Sequence, residues 1–298
     1  RMFVASQMSV IRKRHPVFRL RALTELPAVS WTPRTARWDG KEVVSPIPGI
    51  TADDYLAWFG FWLAEGCRSG RRYAHVDQKN PDAEIVALMD RLGCRSRRID
   101  PRSGVTRFTL GAAWYRLVAD QGRSYEKFVP PVIKAAPPWQ LEVTLRWMWK
   151  GDGFGARYNT TSRQLADDVQ EMIVKAGGAA TVSVEPRSST MLPNGQIGPA
   201  RPIYHIVRAG GRRGQAGVGA PSLLLQIRRE KIYRRPYIGM VYCVGTPSGV
   251  IYVRRGGRPM WCGNSLKYFL QKFPPGPGAP KAAQKPGSFY WWKRVTKS

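Results

Sequence analysis

Apolar positions along the chain follow two rhythms, one helical and one alternating, and the order in which they appear occurs twice. From Thr51, whose hydroxyl suits an N-cap and which is followed by Asp53 and Asp54, apolar residues continue to Ala64. This predicts a helix buried on every side. Tyr73 to Gln78 alternates as a strand does, and Pro81 to Leu92 places Ile85, Val86, Leu88, Met89 and Leu92 on one helical face before Gly93 closes it. Val105 to Leu110 predicts a further strand, and Ala113 to Asp120 a further helix.

The second half repeats the sequence of elements. A helix over Gln140 to Lys150 runs up to Asp152-Gly153, a strand-like stretch covers Phe154 to Thr160, and Ser162 to Ala176 is an amphipathic helix closing on Gly177-Gly178. Strands follow at Ala180 to Val184 and Ile203 to Val207. The expectation is an α+β protein built on a duplicated unit whose copies are related by a pseudo-twofold axis.

Beyond about Tyr237 the texture changes. Met240 to Val244 and Val250 to Arg254 are β-rich, with Thr246-Pro247-Ser248-Gly249 between them and Gly256-Gly257 as a second turn before Met260-Trp261-Cys262. This predicts a short meander. Leu266 to Ser298 is basic, free of acids and proline-rich, the composition of an extended or disordered arm.

Charge narrows the partners more than the fold. Of 298 residues, 48 are Lys or Arg and 20 are Asp or Glu, a formal net charge of +28, which favours a polyanion whose counterions are released on docking. No run is apolar and long enough to cross a bilayer, and the start Arg1-Met2-Phe3-Val4 lacks a secretory core, so a cytoplasmic protein is expected. Cys67, Cys94, Cys243 and Cys262 are scattered without metal-ligand spacing, which disfavours a zinc site.

The chemistry concentrates where the two buried helices end. Phe59-Gly60-Phe61-Trp62-Leu63-Ala64-Glu65-Gly66 and Trp147-Met148-Trp149-Lys150-Gly151-Asp152-Gly153 each stop at an acid followed by glycine. Side by side, the two ends would hold a pair of carboxylates around a divalent cation, the smallest arrangement able to hydrolyse a phosphodiester.

These paired motifs and the elements between them resemble the LAGLIDADG, or dodecapeptide, homing endonucleases, over roughly residues 48 to 235. The resemblance implies two αββαββα-like halves whose motif helices cross at the centre, with a curved sheet from each half lying in the major groove of double-stranded DNA. It implies Mg2+ bound by Glu65 and Asp152, and a monomer with internal pseudo-twofold symmetry. Lys127, in Glu126-Lys127-Phe128-Val129-Pro130, matches the lysine-then-proline segment of intein-borne members and implies a cation near the site. Gln78 matches a family glutamine after the first motif. Arg71, Arg72, Arg98, Arg163 and Arg208 are expected to hold DNA phosphates. Trp147 departs from the pattern, which has small residues where the central helices meet, and its bulk is expected to hold them further apart.

The β-rich tail resembles the C-terminal splicing blocks of an intein of a phage or prokaryotic host. Val241-Tyr242-Cys243-Val244 is followed by the run from Val253 to Ser265, in which Asn264 precedes Ser265. The resemblance implies that the Asn264 amide closes on its own carbonyl and cuts the chain before Ser265, the nucleophile that accepts the upstream segment. Cys243 is a candidate nucleophile of a branched route. Gly263 replaces the usual penultimate histidine, Arg1 is not a starting Cys or Ser, and Val4 to Met8 lacks the Thr-x-x-His block. The implied layout is a remnant of an all-β Hint-type splicing domain over 1–47, the endonuclease over 48–235, splicing blocks over 236–264 and a basic C-extein tail over 265–298. A non-cleaving nucleic-acid binder, either a maturase or a decayed nuclease, and a purely self-processing element are the alternatives.

Overall fold

The computed structural model describes residues 2–6, 19–21, 26–69, 72–191, 197–198, 200–209, 224–232, 246–247 and 250–263. Three short strands come first, β1 (Met2–Ser6), β2 (Arg19–Arg21) and β3 (Val29–Pro33).

The first half then begins with α1 (Ala52–Glu65), which starts where the Thr51 hydroxyl accepts the Asp54 N–H at 3.1 Å. Every residue from Tyr55 to Leu63 is buried, as its continuous apolar sequence requires. After α1 come β4 (Gly66–Ser69), β5 (Tyr73–Lys79), the amphipathic α2 (Ala83–Arg91), β6 (Ser96–Ile99), β7 (Val105–Leu110) and α3 (Ala112–Leu117). A single-turn helix, α4 (Pro131–Lys134), leads into α5 (Pro138–Asp152), the first element of the second half. β8 (Gly153–Phe154), β9 (Arg157–Thr160), α6 (Arg163–Lys175), β10 (Ala179–Glu185), a minor hairpin of β11 (Thr190–Met191) and β12 (Ile197–Gly198), and β13 (Ile203–Ala209) follow.

The two halves share one topology. The first sheet has the order β4-β5-β7-β6 and the second β8-β9-β13-β10, both antiparallel, so each strand of one has a counterpart at the same place in the other. The duplicated helix, sheet and helix unit expected from the sequence is therefore present in a mixed α+β architecture. Pairing places Ala74, Val76, Phe108 and Leu110 of the first sheet, and Tyr158 and Ile206 of the second, on faces turned toward the helices. These side chains join α1 and α5 in one core that spans both halves.

Several details differ from expectation. α3 ends at Leu117, ahead of Asp120, and the stretch from Phe154 to Thr160 is a tight hairpin turning at Gly155-Ala156. The edge strand β6 escaped detection because all four of its residues are exposed, leaving no alternation to read. β14 (Leu224–Arg228), inside the span assigned to the endonuclease, pairs instead with β3. With β15 (Val250–Arg255) and β16 (Arg258–Gly263) it completes a six-stranded sheet of order β14-β3-β1-β16-β15, β2 pairing with β1. This sheet is anchored on the second half: Val182 donates its N–H to the Gly257 carbonyl at 3.0 Å, and Arg254 reaches Asp167 of α6. Among the described residues no helix is long and apolar enough to cross a membrane.

Candidate active site at two helix ends

α1 and α5 terminate alike. The glycine after each acid is extended rather than left-handed, Gly66 at φ −83° and Gly153 at φ −85°, and each returns its N–H to the helix, to the Trp62 and Trp149 carbonyls respectively. Glycine is required for space: a Cβ on either residue would fall 2.3 Å from that tryptophan carbonyl oxygen. The chain thus passes directly from helix into β4 or β8, leaving the acid at the corner.

The helices meet along their length. A Cβ on Gly60 would lie 2.3 Å from the Thr144 carbonyl oxygen, and one on Gly151 would lie 2.5 Å from the Ala64 Cβ and 3.0 Å from Glu65 Cγ. The Glu65 side chain therefore lies against the residue that precedes Asp152, and the structure brings the two acids together. Trp147 does not hold the helices apart. It is 4% exposed and lies edge-on to Phe61, with ring centroids 5.8 Å apart, a contact of about 0.5–1.5 kcal/mol beyond its buried area.

Burial, with the Asp152 carboxylate close by, pushes the Glu65 carboxyl up to about 7. Asp152 stands at the mouth of a cleft, open to solvent on one side and crowded by protein on the other, and loss of hydration raises it to about 6. Neither acid forms a direct ion pair with a described cation.

Lys127 is the nearby cation, but its protons are committed. Its Nζ donates to the carbonyls of Trp62 at 3.1 Å, Leu63 at 2.9 Å and Gly66 at 2.8 Å, and lies 4.7 Å from the centre of a Trp62 ring. It neutralises the negative end of α1 and fixes the corner that carries Glu65. Burial lowers its pKa to about 8, against the pull of Asp152, Cys67 and Glu65. Lys127 thus acts on the acids through the helix end. Gln78 lies on the helix-facing side of β5, two residues beyond Val76, the partner of Gly66, so it runs alongside the end of α1. Its Oε1 is buried without a partner among the described residues.

The cleft beside Asp152, about 270 Å³, is lined by Leu63, Lys127, Tyr158, Asn159 and Thr160 among others. Among the described residues no group of three or more His, Cys, Asp or Glu side chains is placed to hold a metal ion. A pair of converging carboxylates at carbonyl-rich helix ends nonetheless fits a hard cation that takes one or two protein carboxylates and completes its shell with water and phosphate oxygens. Mg2+ matches that donor set; zinc does not.

The opposite face of the first sheet carries Tyr73, Asp77, Lys79, Arg98 and Arg107, largely open to solvent, around a buried His75. Arg98 and Arg107 are cross-strand neighbours, and Arg107 forks onto Asp77 at 2.7 and 2.6 Å. Arg72 is exposed at the turn before β5. Arg163 opens α6, in the helix layer, and Arg208 is on the helix-facing side of β13, paired with Glu142 of α5. These two therefore do not join Arg98 on an open sheet face. Arg71, Cys243, Asn264 and Ser265 lie outside the described residues. The strand that leads up to Asn264 is described: Met2 of β1 pairs with Cys262 of β16, just ahead of Gly263.

Sequence reasoning missed Tyr158, which reads as an ordinary strand residue. It also missed Asp77, which raises Glu65 further and whose link to Arg107 depends on strand register.

No family model matches the chain. It is similar to the replicative DNA helicase DnaB of Nostoc sp., 35% identical over 95 residues, 28% of this chain and 10% of that protein. The corresponding helicase of Synechocystis sp. is 33% identical over 99 residues, 30% of this chain and 10% of that protein. The chain thus spans about a tenth of the length of these curated relatives.

Proposed function

We propose that this protein is an intein-encoded, site-specific DNA endonuclease of the LAGLIDADG type that makes a magnesium-dependent double-strand cut. The observation that carries the reading is the meeting of Glu65 and Asp152 at apposed ends of α1 and α5, within a duplicated fold that has a sheet on each side. A Mg2+ held by these carboxylates would polarise phosphoryl oxygens and lower the pKa of a bound water. The chain's own residues do the positioning. Gly60 and Gly151 let the helices close, Lys127 pins the α1 corner, and Gln78 presents beside it a carbonyl oxygen that has no partner among the described residues. Arg72 and Arg98, with a chain charge of +28, support a DNA duplex laid along the open sheet faces.

A match confined to a tenth of a much longer helicase fits a segment inserted into otherwise unrelated host proteins. The hairpin of β15 and β16, which β1 joins and which runs up to Asn264, supports a second, compatible activity, self-processing at that residue. Self-processing at Asn264 would appear in mass spectrometry as loss of residues 265–298, abolished by Asn264→Ala; an intact chain in both would leave the endonuclease alone.

The test of the main reading is incubation with Mg2+ and a plasmid library carrying randomised target segments, followed by sequencing of linearised products. A single enriched, staggered cut that disappears in Glu65→Gln and in Asp152→Asn supports it. Retention of DNA without cutting would make the protein a non-cleaving binder and overturn the assignment.

A further inference from the structure

The duplication permits a residue-by-residue comparison of the two helix ends. Gly66, which follows Glu65, pairs with Val76; Gly153, which follows Asp152, pairs with Tyr158. Both partners are 0% exposed. Packing at this position is thus met by an alkyl group in one half, whereas the other half buries a phenol. The Tyr158 ring lies against Trp149, centroids 5.3 Å apart, but its hydroxyl has no hydrogen-bond partner among the described residues.

A buried hydroxyl without a partner costs roughly 1–3 kcal/mol, so a hydroxyl that packing does not need calls for a reason. Its surroundings supply one. Tyr158 lines the same cleft as Asp152 and Lys127. A phenol hydroxyl is a hydrogen-bond donor at neutral pH. Lys127 cannot fill that role, since its three N–H bonds serve the carbonyls of α1.

We infer that Tyr158 is a positioning residue of the active site, its hydroxyl donating to a water in the cleft beside Asp152 and so fixing where that water stands relative to the scissile phosphate. This assignment rests on the endonuclease reading. It also makes the two halves inequivalent: the Asp152 side orders its water through a phenol, and the Glu65 side, with Val76, does not. A nuclease so built cuts its two strands at different rates.

The experiment is Tyr158→Phe, which keeps the ring against Trp149. Single-turnover cleavage should fall roughly ten- to hundred-fold, unequally for the two strands, while DNA Kd stays within about three-fold and Tm is unchanged or raised. Three results would overturn the inference: wild-type rates on both strands, equal slowing of both strands, or a rate loss matched by lost DNA affinity or a lowered Tm. Asp152→Asn run in parallel keeps the two proposals apart. If wild-type protein cuts no DNA the endonuclease reading fails, whereas cutting by wild type and Tyr158→Phe alike removes only the role of Tyr158.

Discussion

Gly60 of α1 faces the backbone of Thr144 in α5 so closely that a Cβ on the glycine would stand 2.3 Å from the Thr144 carbonyl oxygen. The obstacle is backbone, which cannot swing away as a side-chain tip would. Gly60→Ala must therefore separate the helices, at a cost of about 3 kcal/mol or more. Because Glu65 and Asp152 lie further along the same contact, the substitution should also weaken Mg2+ binding, measurable by calorimetry at a temperature where the variant is folded. Unchanged stability and metal affinity would show that the helices are not in contact at Gly60.

Lys127 should be needed for folding before it is needed for activity. Lys127→Met removes the donor from three carbonyls at the end of α1 and should cost roughly 2–4 kcal/mol in urea unfolding. The same variant at low temperature should retain weak magnesium-dependent cutting. Complete loss of cutting with stability intact would instead give Lys127 a direct role in the chemistry.

The acids should make the metal-free protein less stable as pH rises. Glu65 titrates near 7 in the folded chain against an ordinary 4.5, and Asp152 near 6 against 3.8, so between about pH 4 and 7 the native state holds protons that the unfolded chain has released. Stability therefore falls as pH rises through this window and stays reduced above it. The Glu65 share is about 1–2 kcal/mol, discounted for partial solvent access. In chelator at pH 8, Glu65→Gln should melt higher than wild type, the difference vanishing near pH 4. Added Mg2+ should stabilise wild type and not the variant. A wild-type curve flat between pH 4 and 8 would mean that the carboxylates are not crowded together.

Two arginines that look alike in the sequence should separate in DNA binding. Arg98 is on the open face of the first sheet; Arg98→Ala should weaken binding and lower the slope of log K against log salt by about 1. Arg208 is committed to Glu142 on the helix side of the second sheet, so Arg208→Ala should act on stability, with the salt slope unchanged. Equal effects on the salt slope would place both side chains on the DNA.

The core of each half was legible because its elements are long and strongly patterned. α1 begins at the expected Thr51 cap, and β7 spans the expected Val105 to Leu110. The acid pair was legible for a related reason, since a buried helix cut short by an acid and a glycine leaves few places for the carboxylate. What escaped depends on register or direction. No local pattern says that Arg208 turns inward while Arg98 turns outward, or that the Lys127 ammonium ends on three carbonyls. Nor does bulk alone say whether Trp147 separates two helices or slots beside Phe61. β14 is assigned to the terminal sheet only by its pairing with β3, which is distant in the chain.

That terminal sheet sets a timetable for synthesis. β1 is translated before either half, yet the strand it pairs with through Met2 and Cys262 is the last of the described elements to leave the ribosome. Pairings this far apart in sequence form slowly, whereas each half closes over its own helices from neighbouring segments. The two duplicated halves can thus mature first and serve as the platform, through Val182 and Asp167, on which the hairpin of β15 and β16 settles and draws β1 into place. Under this order, the terminal sheet closes only after β16 has been translated, and the duplicated halves do not wait for it.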